Sequence, residues 1–163
     1  MMAINVGDRV PEATFTVMGA EGPGPQTTQE VFGGKKVVLF AVPGAFTPTC
    51  SKQHLPGFVA NADKIKAQGV DTIACTSVND AFVLGAWSKD AGADGKVTML
   101  ADGSADFAKK LGLELDLSER GLGMRSQRYA MIVEDGVVKA LNVEDAPGTA
   151  DKSGADAIAA LLG

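Results

Sequence analysis

Cys50 lies where a cysteine could act as a nucleophile. It follows a loop that contains Pro43, Thr47 and Pro48, and this loop comes directly after an apolar run. The thiolate is the reactive form of cysteine, and an ordinary free thiol is only slightly ionised at neutral pH. A site that uses Cys50 as a nucleophile must therefore stabilise the anion.

The backbone predicted around Cys50 would favour that anion. Thr47 is a good N-cap residue and Pro48 suits a first helical turn, so Cys50 is predicted in the first turn of a helix. The N–H groups there lack partners inside the helix and, with the positive end of the helix dipole, favour negative charge. The alternative is a buried inert cysteine, which is common in protein cores. A core cysteine, however, needs no Thr-Pro-Thr segment before it.

His54 and Cys75 are the remaining side chains with metal-binding or nucleophilic chemistry. His54 is the only histidine and lies four residues after Cys50, so both could occupy one face of a helix. A stable zinc-type site needs about four ligands, and Cys75 is the only other soft donor. We therefore expect no metal and no other cofactor, whereas a base paired with Cys50 stays open for His54.

The elements that must position Cys50 are a strand before it and a helix after it. Residues 37–42 are uniformly apolar, which is typical of a strand covered on both faces, and Pro43 ends it. After Cys50, apolar residues recur at helical spacing and form one core-facing stripe (Leu55, Phe58, Val59, Ala62 and Ile65). Pro56 interrupts this helix and is expected to kink it.

Strands and helices alternate along the rest of the chain. Further strands are predicted at 70–78, 96–101, 128–134 and 137–143, weak strand character at 3–18, and further helices at 27–32, 80–89, 104–111 and 153–162. Segments 19–26 and 113–127 are rich in turn residues and are predicted to be irregular. The order predicts an α/β fold with a mixed central sheet flanked by helices on both faces.

Two helices carry more specific expectations. The helix at 80–89 should direct Phe82, Val83, Ala86 and Trp87 inward, and Ser153 should cap the last helix. The chain has 163 residues, enough for one domain with a sizeable core, and no composition shift marks a boundary. We expect residues 1–163 to form a single domain.

Composition narrows the classes of partner. The net charge is −5, whereas nucleic acids and anionic membranes bind basic surfaces, and no apolar run approaches the roughly 20 residues that cross a bilayer. The N-terminal sequence MMAINVGDRVPEATF lacks a basic region followed by an apolar core. Two cysteines without a framework suit a reducing compartment. We therefore expect a cytoplasmic protein that binds neither nucleic acid nor membrane.

Several long strings resemble one known family. PGAFTPTC matches the peroxidatic signature of the peroxiredoxins, P-x-x-x-T-x-x-C, through Pro43, Thr47 and Cys50. PGAFTPTCSKQHLPGF, VNDAFVLGAW and RYAMIVEDGVVKALNVE together resemble the type II or Prx5-like subgroup, over roughly residues 4–162. The resemblance implies a thioredoxin-like fold, a homodimer, and a thiol peroxidase that reduces hydrogen peroxide and organic hydroperoxides without metal or haem.

The resemblance also implies a role for each matching residue. Cys50 would attack the hydroperoxide and become a sulfenic acid, Thr47 would supply a hydroxyl, and Pro43 would shield the thiolate. The family's active-site arginine precedes the Tyr/Phe-containing strand, which here gives Arg128. Arg125 is the rival and Arg120 a weaker one, while His54 in HLPGF reads as structural.

The reductant depends on Cys75. It is either a buried inert thiol or a resolving cysteine that attacks oxidised Cys50, which requires Cα atoms within about 7 Å or local unfolding. Other Prx5-like enzymes carry a resolving cysteine after the final hairpin, where DAPGTADKSGAD has none. This favours glutathione with glutaredoxin as the reductant, and thioredoxin stays open if Cys75 resolves.

Two other functions share parts of this sequence signature. A redox-sensing module would oxidise the same Cys50 to control a partner protein, and the motif alone does not separate it from a peroxidase. A thiol-disulfide oxidoreductase would use the same fold, but the chain has no C-x-x-C motif.

Overall fold

A computed structural model describes residues 3–162. The strands are β1 (Thr14–Gly19), β2 (Gly22–Thr27), β3 (Lys36–Val42), β4 (Thr72–Ser77), β5 (Thr98–Ala101), β6 (Glu114–Leu117), β7 (Gly123–Ser126), β8 (Tyr129–Glu134) and β9 (Val137–Val143). The α-helices are α1 (Thr28–Phe32), α2 (Leu55–Ala60), α3 (Ala62–Lys66), α4 (Ala81–Asp90), α5 (Asp106–Leu111) and α6 (Ala155–Leu162). A π-helical turn spans Cys50–His54 and a 3-10 turn spans Ser118–Arg120.

The main sheet is mixed, as the sequence predicts. Its strand order is β2-β1-β5-β4-β3-β8-β9. β3, β4 and β5 run parallel to one another, whereas β8 pairs antiparallel with β3 and with β9. β3 therefore occupies the interior of the sheet, and the loop at its carboxyl end leads directly to Cys50.

The apolar run of β3 is buried on both faces. Val38, Phe40 and Val42 point into one core, where side chains from α2, α3, α4 and α6 cover the sheet. Val37 and Leu39 point into the other, which α1, α5 and the N-terminal segment cover. This alternation is the physical reason why β3 shows no polar face.

Two segments predicted to be irregular are strands. Residues 22–27 form β2, the edge strand of the main sheet, where Pro23 and Pro25 are tolerated because an edge strand need not donate every N–H. Residues 114–117 and 123–126 pair as a small antiparallel hairpin. Its many turn residues belong to the connection between the strands and concealed the short strands themselves.

Two helix expectations are also corrected. α4 is capped by Asp80 and buries Ala81, Leu84 and Trp87, while Phe82 is 67% exposed and Ala86 is exposed. The inward face is thus turned relative to the predicted one. Ser153 does not cap α6, because its hydroxyl donates to Glu144 Oε2 at 2.6 Å.

The helices of residues 3–162 are all too short or too polar to span a bilayer.

Candidate active site

The helix that carries Cys50 begins regularly and then widens. Ser51 N–H donates to Thr47 O at 2.9 Å, but Leu55 N–H reaches back to Cys50 O, five residues earlier, as in a π-helix. Pro56 has no N–H for the carbonyl of Lys52, and in a regular α-helix its ring would press on that carbonyl. The wider turn accommodates the proline, so the irregularity expected from Pro56 takes the form of a π turn.

Thr47 does not cap this helix with its side chain. Its hydroxyl donates to Gly44 O at 2.6 Å, and this bond closes a tight turn in the loop between β3 and Cys50. Phe46 within that turn has a φ of 62°, in the left-handed region that non-glycine residues seldom occupy. The predicted capping by Thr47 is therefore wrong, although the residue does shape the approach to Cys50.

Two side chains from other elements hold this loop. Asn79 Oδ1 accepts a hydrogen bond from Ala45 N–H at 3.0 Å. Arg125, at the end of the β6–β7 hairpin, donates to Pro43 O at 3.4 Å and to Val78 O at 3.3 Å. The loop is thus fixed from the end of β4 and from the hairpin.

Arg128 lies directly against Cys50. It comes just before β8, which pairs with β3, and its Nη2 donates to Cys50 Sγ at 2.9 Å. Both residues are buried, with exposed fractions of 2% for Arg128 and 0% for Cys50. This contact is a hydrogen bond from a charged donor to a buried sulfur. The other two candidates for the active-site arginine lie elsewhere. Arg120 is exposed, and Arg125 donates hydrogen bonds to backbone carbonyls.

The guanidinium of Arg128 is anchored on every side. Its Nε donates to Pro147 O at 3.0 Å, and its Nη1 lies 2.8 Å from His54 Nδ1. None of the ion pairs found among residues 3–162 includes Arg128. No carboxylate among residues 3–162 therefore pairs with its positive charge, and the sulfur of Cys50 lies against the charged group.

His54 is buried and neutral. Burial lowers the pKa of His54 to about 3, and the Arg128 charge also lowers it, while the contact with Ser153 O opposes the shift. The two ring nitrogens have fixed roles. An arginine N–H only donates, so Nδ1 must accept, and a carbonyl only accepts, so Nε2 must donate to Ser153 O at 2.8 Å.

Cys75 occupies a different environment. It lies in β4 opposite Phe40 of β3 and Met99 of β5, and it is fully buried. Burial raises the pKa of the Cys75 thiol well above its usual value, and the proximity of Cys50 adds to this, while the Arg128 charge opposes the shift. Both cysteines are free thiols. Burial therefore favours the protonated thiol at Cys75.

No metal centre is evident in the part of the chain that the structure describes. Within residues 3–162, histidine, cysteine and acidic side chains nowhere gather in the groups of three or more that hold a metal ion. Both ring nitrogens of His54 already have protein partners. The pairing of Cys50 with His54 as half of a metal site therefore finds no further ligands here.

Sequence reasoning missed the network behind Arg128. The i, i+4 spacing of Cys50 and His54 is a visible signal, but it is compatible with a half metal site, a base or a structural residue. Nothing in the sequence showed that Ser153 would accept from His54, or that Asn79 would hold the active-site loop. These partners come from distant parts of the chain, and only the fold brings them together.

Comparisons with known proteins agree with this geometry. The family described as Redoxin matches residues 5–159. Peroxiredoxin-2E, chloroplastic, of Arabidopsis thaliana is 48% identical, over 98% of this chain and 70% of that protein. Peroxiredoxin-2E-2, chloroplastic, of Oryza sativa is 49% identical, over 97% of this chain and 72% of that protein. The structure of reduced Prx3 in complex with H2O2 from Vibrio vulnificus is 54% identical, with a TM-score of 0.93 and coverage of 98% and 99%.

These relatives correct one expectation and confirm others. The predicted cytoplasmic location is wrong, because both plant relatives are chloroplastic proteins, and their names point to a plastid instead. The thioredoxin-like α/β fold and the thiol peroxidase activity are confirmed, and the redox-sensing alternative is not favoured. The chain belongs to the redoxin family and is a peroxiredoxin of the Prx5-like type.

Proposed function

We propose that Cys50 is the peroxidatic cysteine and that Arg128 stabilises its thiolate. The observation that carries this proposal is the 2.9 Å contact between Arg128 Nη2 and Cys50 Sγ. Within residues 3–162 no side chain donates a hydrogen bond to the sulfur of the only other cysteine, Cys75, and burial raises its pKa. A thiol peroxidase needs one cysteine that is anionic at neutral pH, and Cys50 is the one whose surroundings supply a cation.

In the proposed reaction, Cys50 Sγ attacks the terminal oxygen of a hydroperoxide. The S–O bond forms as the O–O bond breaks, and the sulfur is oxidised to a sulfenic acid while the peroxide is reduced. The leaving alkoxide or hydroxide then takes a proton from water and departs as an alcohol or water. Negative charge spreads from sulfur onto both oxygens, so donors fixed at this place stabilise the transition state.

Thr47 and Pro43 would act by position. The Thr47 hydroxyl closes the loop on Gly44 O and so holds the residues that precede Cys50. Pro43 begins the loop, is buried, and offers its carbonyl to Arg125. We infer that Thr47 presents its oxygen to the peroxide and that Pro43 keeps bulk water from the thiolate. Neither residue serves as a proton base in this account.

The loop before Cys50 lies where a peroxide would approach the sulfur. Cys50 is fully buried in this structure, whereas Phe46 in the same loop is 53% exposed. We infer that only a small local opening beside this loop admits a peroxide to the sulfur. This favours small hydroperoxides, namely hydrogen peroxide and compact organic hydroperoxides, as substrates.

The sulfenic acid must then be reduced by a second thiol. We infer a one-cysteine cycle with glutathione and glutaredoxin as the reductant, because the fully buried Cys75 sits in the middle of β4 with a raised pKa. The segment 145–156 carries no cysteine that could resolve the intermediate. Thioredoxin becomes the reductant if Cys75 does form a disulfide with Cys50.

We further propose that residues 1–163 act as one domain and that two copies form a homodimer. Exposed apolar side chains near the active site support a partner surface, namely Phe46, Leu122 and Met124. Analytical ultracentrifugation at micromolar concentration tests this proposal. A monomer at that concentration would contradict it.

Peroxide consumption under two reducing systems tests the proposed cycle. The wild type, Cys50→Ser and Cys75→Ser are each assayed with glutathione and glutaredoxin, and with thioredoxin and its reductase. We expect Cys50→Ser to be inactive with both systems and Cys75→Ser to keep its turnover with glutaredoxin. Turnover by Cys50→Ser would refute the proposed site, and loss of activity in Cys75→Ser would make Cys75 the resolving cysteine.

A further inference from the structure

We propose that His54 is a positioning residue, whose unprotonated Nδ1 holds the guanidinium of Arg128 against the sulfur of Cys50. The inference rests on the proposed roles of Cys50 and Arg128 and deepens them. Its physical core is a chain of three contacts: Cys50 Sγ to Arg128 Nη2 at 2.9 Å, Arg128 Nη1 to His54 Nδ1 at 2.8 Å, and His54 Nε2 to Ser153 O at 2.8 Å.

Two bonds from neighbouring nitrogens fix a planar group better than one. The guanidinium is a rigid fork, so holding Nη1 on His54 sets the plane in which Nη2 points at Cys50. The third bond, from Nε to Pro147 O, prevents sliding along the side-chain axis. Without the acceptor on His54, Nη1 would be a buried donor with no partner, and the fork would turn to find one.

His54 is itself held rigidly. Its ring packs against Phe40 with centroids 4.8 Å apart and against Phe58 with centroids 5.7 Å apart. The carbonyl that accepts from Nε2 belongs to Ser153, whose N–H and hydroxyl both donate to Glu144, at 2.7 and 2.6 Å. The imidazole therefore transmits to Arg128 an orientation that is set by the core on one side and by residues 144–153 on the other.

This arrangement leaves His54 no lone pair for base chemistry. Nδ1 already accepts from Arg128, and Nε2 carries the proton that goes to Ser153 O. An added proton on Nδ1 would face a guanidinium N–H, and the two donors would repel. His54 therefore acts on the reaction through Arg128 and takes no proton from Cys50.

Two substitutions separate the contacts of His54. Asparagine places an amide oxygen close to the position of Nδ1, so His54→Asn keeps an acceptor for Arg128. Glutamine reaches the position of Nε2 with an amide nitrogen, so His54→Gln keeps the donor to Ser153 O but loses the acceptor. Phe58→Leu is the matched packing control, because it disturbs a ring beside His54 without touching either hydrogen bond.

The readout is the rate of Cys50 oxidation by hydrogen peroxide in stopped-flow fluorescence. Trp87 is the only tryptophan, and its Nε1 donates to Ser51 Oγ, beside Cys50, at 3.0 Å, so its emission reports on this site. We expect His54→Gln to slow oxidation by about tenfold or more, as loss of an orienting partner typically does. His54→Asn and Phe58→Leu should each slow oxidation less than His54→Gln does, because both keep an acceptor for Arg128 Nη1. Equal slowing of all three variants, or of none, would overturn the inference.

A double-mutant cycle tests whether the effect passes through Arg128. If it does, adding His54→Gln to Arg128→Gln costs little further rate, because the group that His54 positions is already gone. Additive losses would contradict the inference. In the same assays, activity of Cys50→Ser would refute the proposed function itself, whereas an inactive Cys50→Ser with unaffected His54 variants would refute only the role of His54.

The wild-type protein offers a test that needs no variant to fold. Because His54 is the only histidine, 15N-histidine labelling gives one pair of ring signals in NMR. We expect the neutral form with a proton on Nε2 at pH 6, and a change in the Nδ1 signal in Arg128→Gln. A protonated Nδ1 at pH 6 would overturn the inference.

Discussion

The two cysteines share one hydrophobic core but differ in their electrostatic surroundings. Cys50 and Cys75 are both fully buried, and both belong to the cluster that packs between β3, β4 and the helices on that face. Cys50 receives a hydrogen bond from a buried arginine, whereas Cys75 lies mid-strand among apolar neighbours and its pKa is raised by burial. Burial is therefore common to the two thiols, and the charged donor at the sulfur of Cys50 is what distinguishes them.

Secondary structure produces this difference. Cys50 lies in the helical turn that follows the loop after β3. Its sulfur contacts Arg128, which lies just before β8, the strand that pairs with β3. Cys75 lies within β4, where its backbone is paired on both sides by β3 and β5. A cysteine inside a central strand has only core side chains around it, whereas one at a strand end can meet polar groups.

Removing the positive charge of Arg128 should reduce the difference between Cys50 and Cys75 most strongly. We expect Arg128→Gln to slow the oxidation of Cys50 by about a hundredfold, as loss of a preorganised charged donor does. Arg128→Lys should fall between this variant and the wild type, because one ammonium cannot serve Cys50, His54 and Pro147 at once. Stopped-flow Trp87 fluorescence measures both rates. Wild-type rates in Arg128→Gln would mean that the cation is not what distinguishes Cys50.

Acid should lower the stability of the folded protein through the protonation of His54, which lies beside Arg128 at the Cys50 site. The pKa of His54 is lowered to about 3 by burial, against an ordinary value near 6.5. As pH falls below about 6.5 the unfolded chain takes up this proton first, so stability is complete above that pH and is lost progressively toward pH 3. Between pH 7 and pH 5 the loss amounts to about 2 kcal/mol.

Urea unfolding of the wild type and His54→Asn at both pH values checks this expectation. The variant has no group that titrates here, so its stability should fall by about 2 kcal/mol less than that of the wild type between pH 7 and pH 5. Parallel losses in the two proteins would show that His54 is not held neutral.

Replacing Cys75 should have the smallest effect on the oxidation of Cys50, and this would sharpen the contrast between the two cysteines. We expect Cys75→Ala to keep the oxidation rate of Cys50, because the Arg128 guanidinium donates to Pro147, His54 and Cys50 and not to Cys75. The variant should lose about 1 kcal/mol of stability by leaving a small cavity in the core. Urea unfolding followed by Trp87 fluorescence measures this loss. Slower turnover without loss of stability would instead make Cys75 a participant.

The sequence predicts the framework of the site well because local rules control it. The apolar run at 37–42 depends on neighbours along the chain, and so does the break between the strands predicted at 128–134 and 137–143, where Asp135 and Gly136 both have positive φ. The hairpin of β6 and β7 was not predicted, because its strands have only four residues each and lie among turn residues. Short strands carry too few alternating positions to show a period.

The contacts of the site were harder to predict because they join distant segments. Arg128 and Cys50 are 78 residues apart, and His54 and Ser153 are 99 apart. The resemblance to a family pattern predicts the place of Arg128, whereas for His54 the sequence leaves a half metal site, a base and a structural residue as alternatives. The sequence predicts that Ser153 caps a helix, whereas in the fold its hydroxyl donates a hydrogen bond to Glu144.

Mapping of the sulfenic acid tests the central claim most directly. The reduced protein receives one equivalent of hydrogen peroxide in the presence of dimedone, which traps sulfenic acids, and peptide mass spectrometry locates the label. We predict labelling of Cys50 with Cys75 unlabelled, and much slower labelling in Arg128→Gln. Label on Cys75, or equal labelling of Cys50 with and without Arg128, would contradict the account.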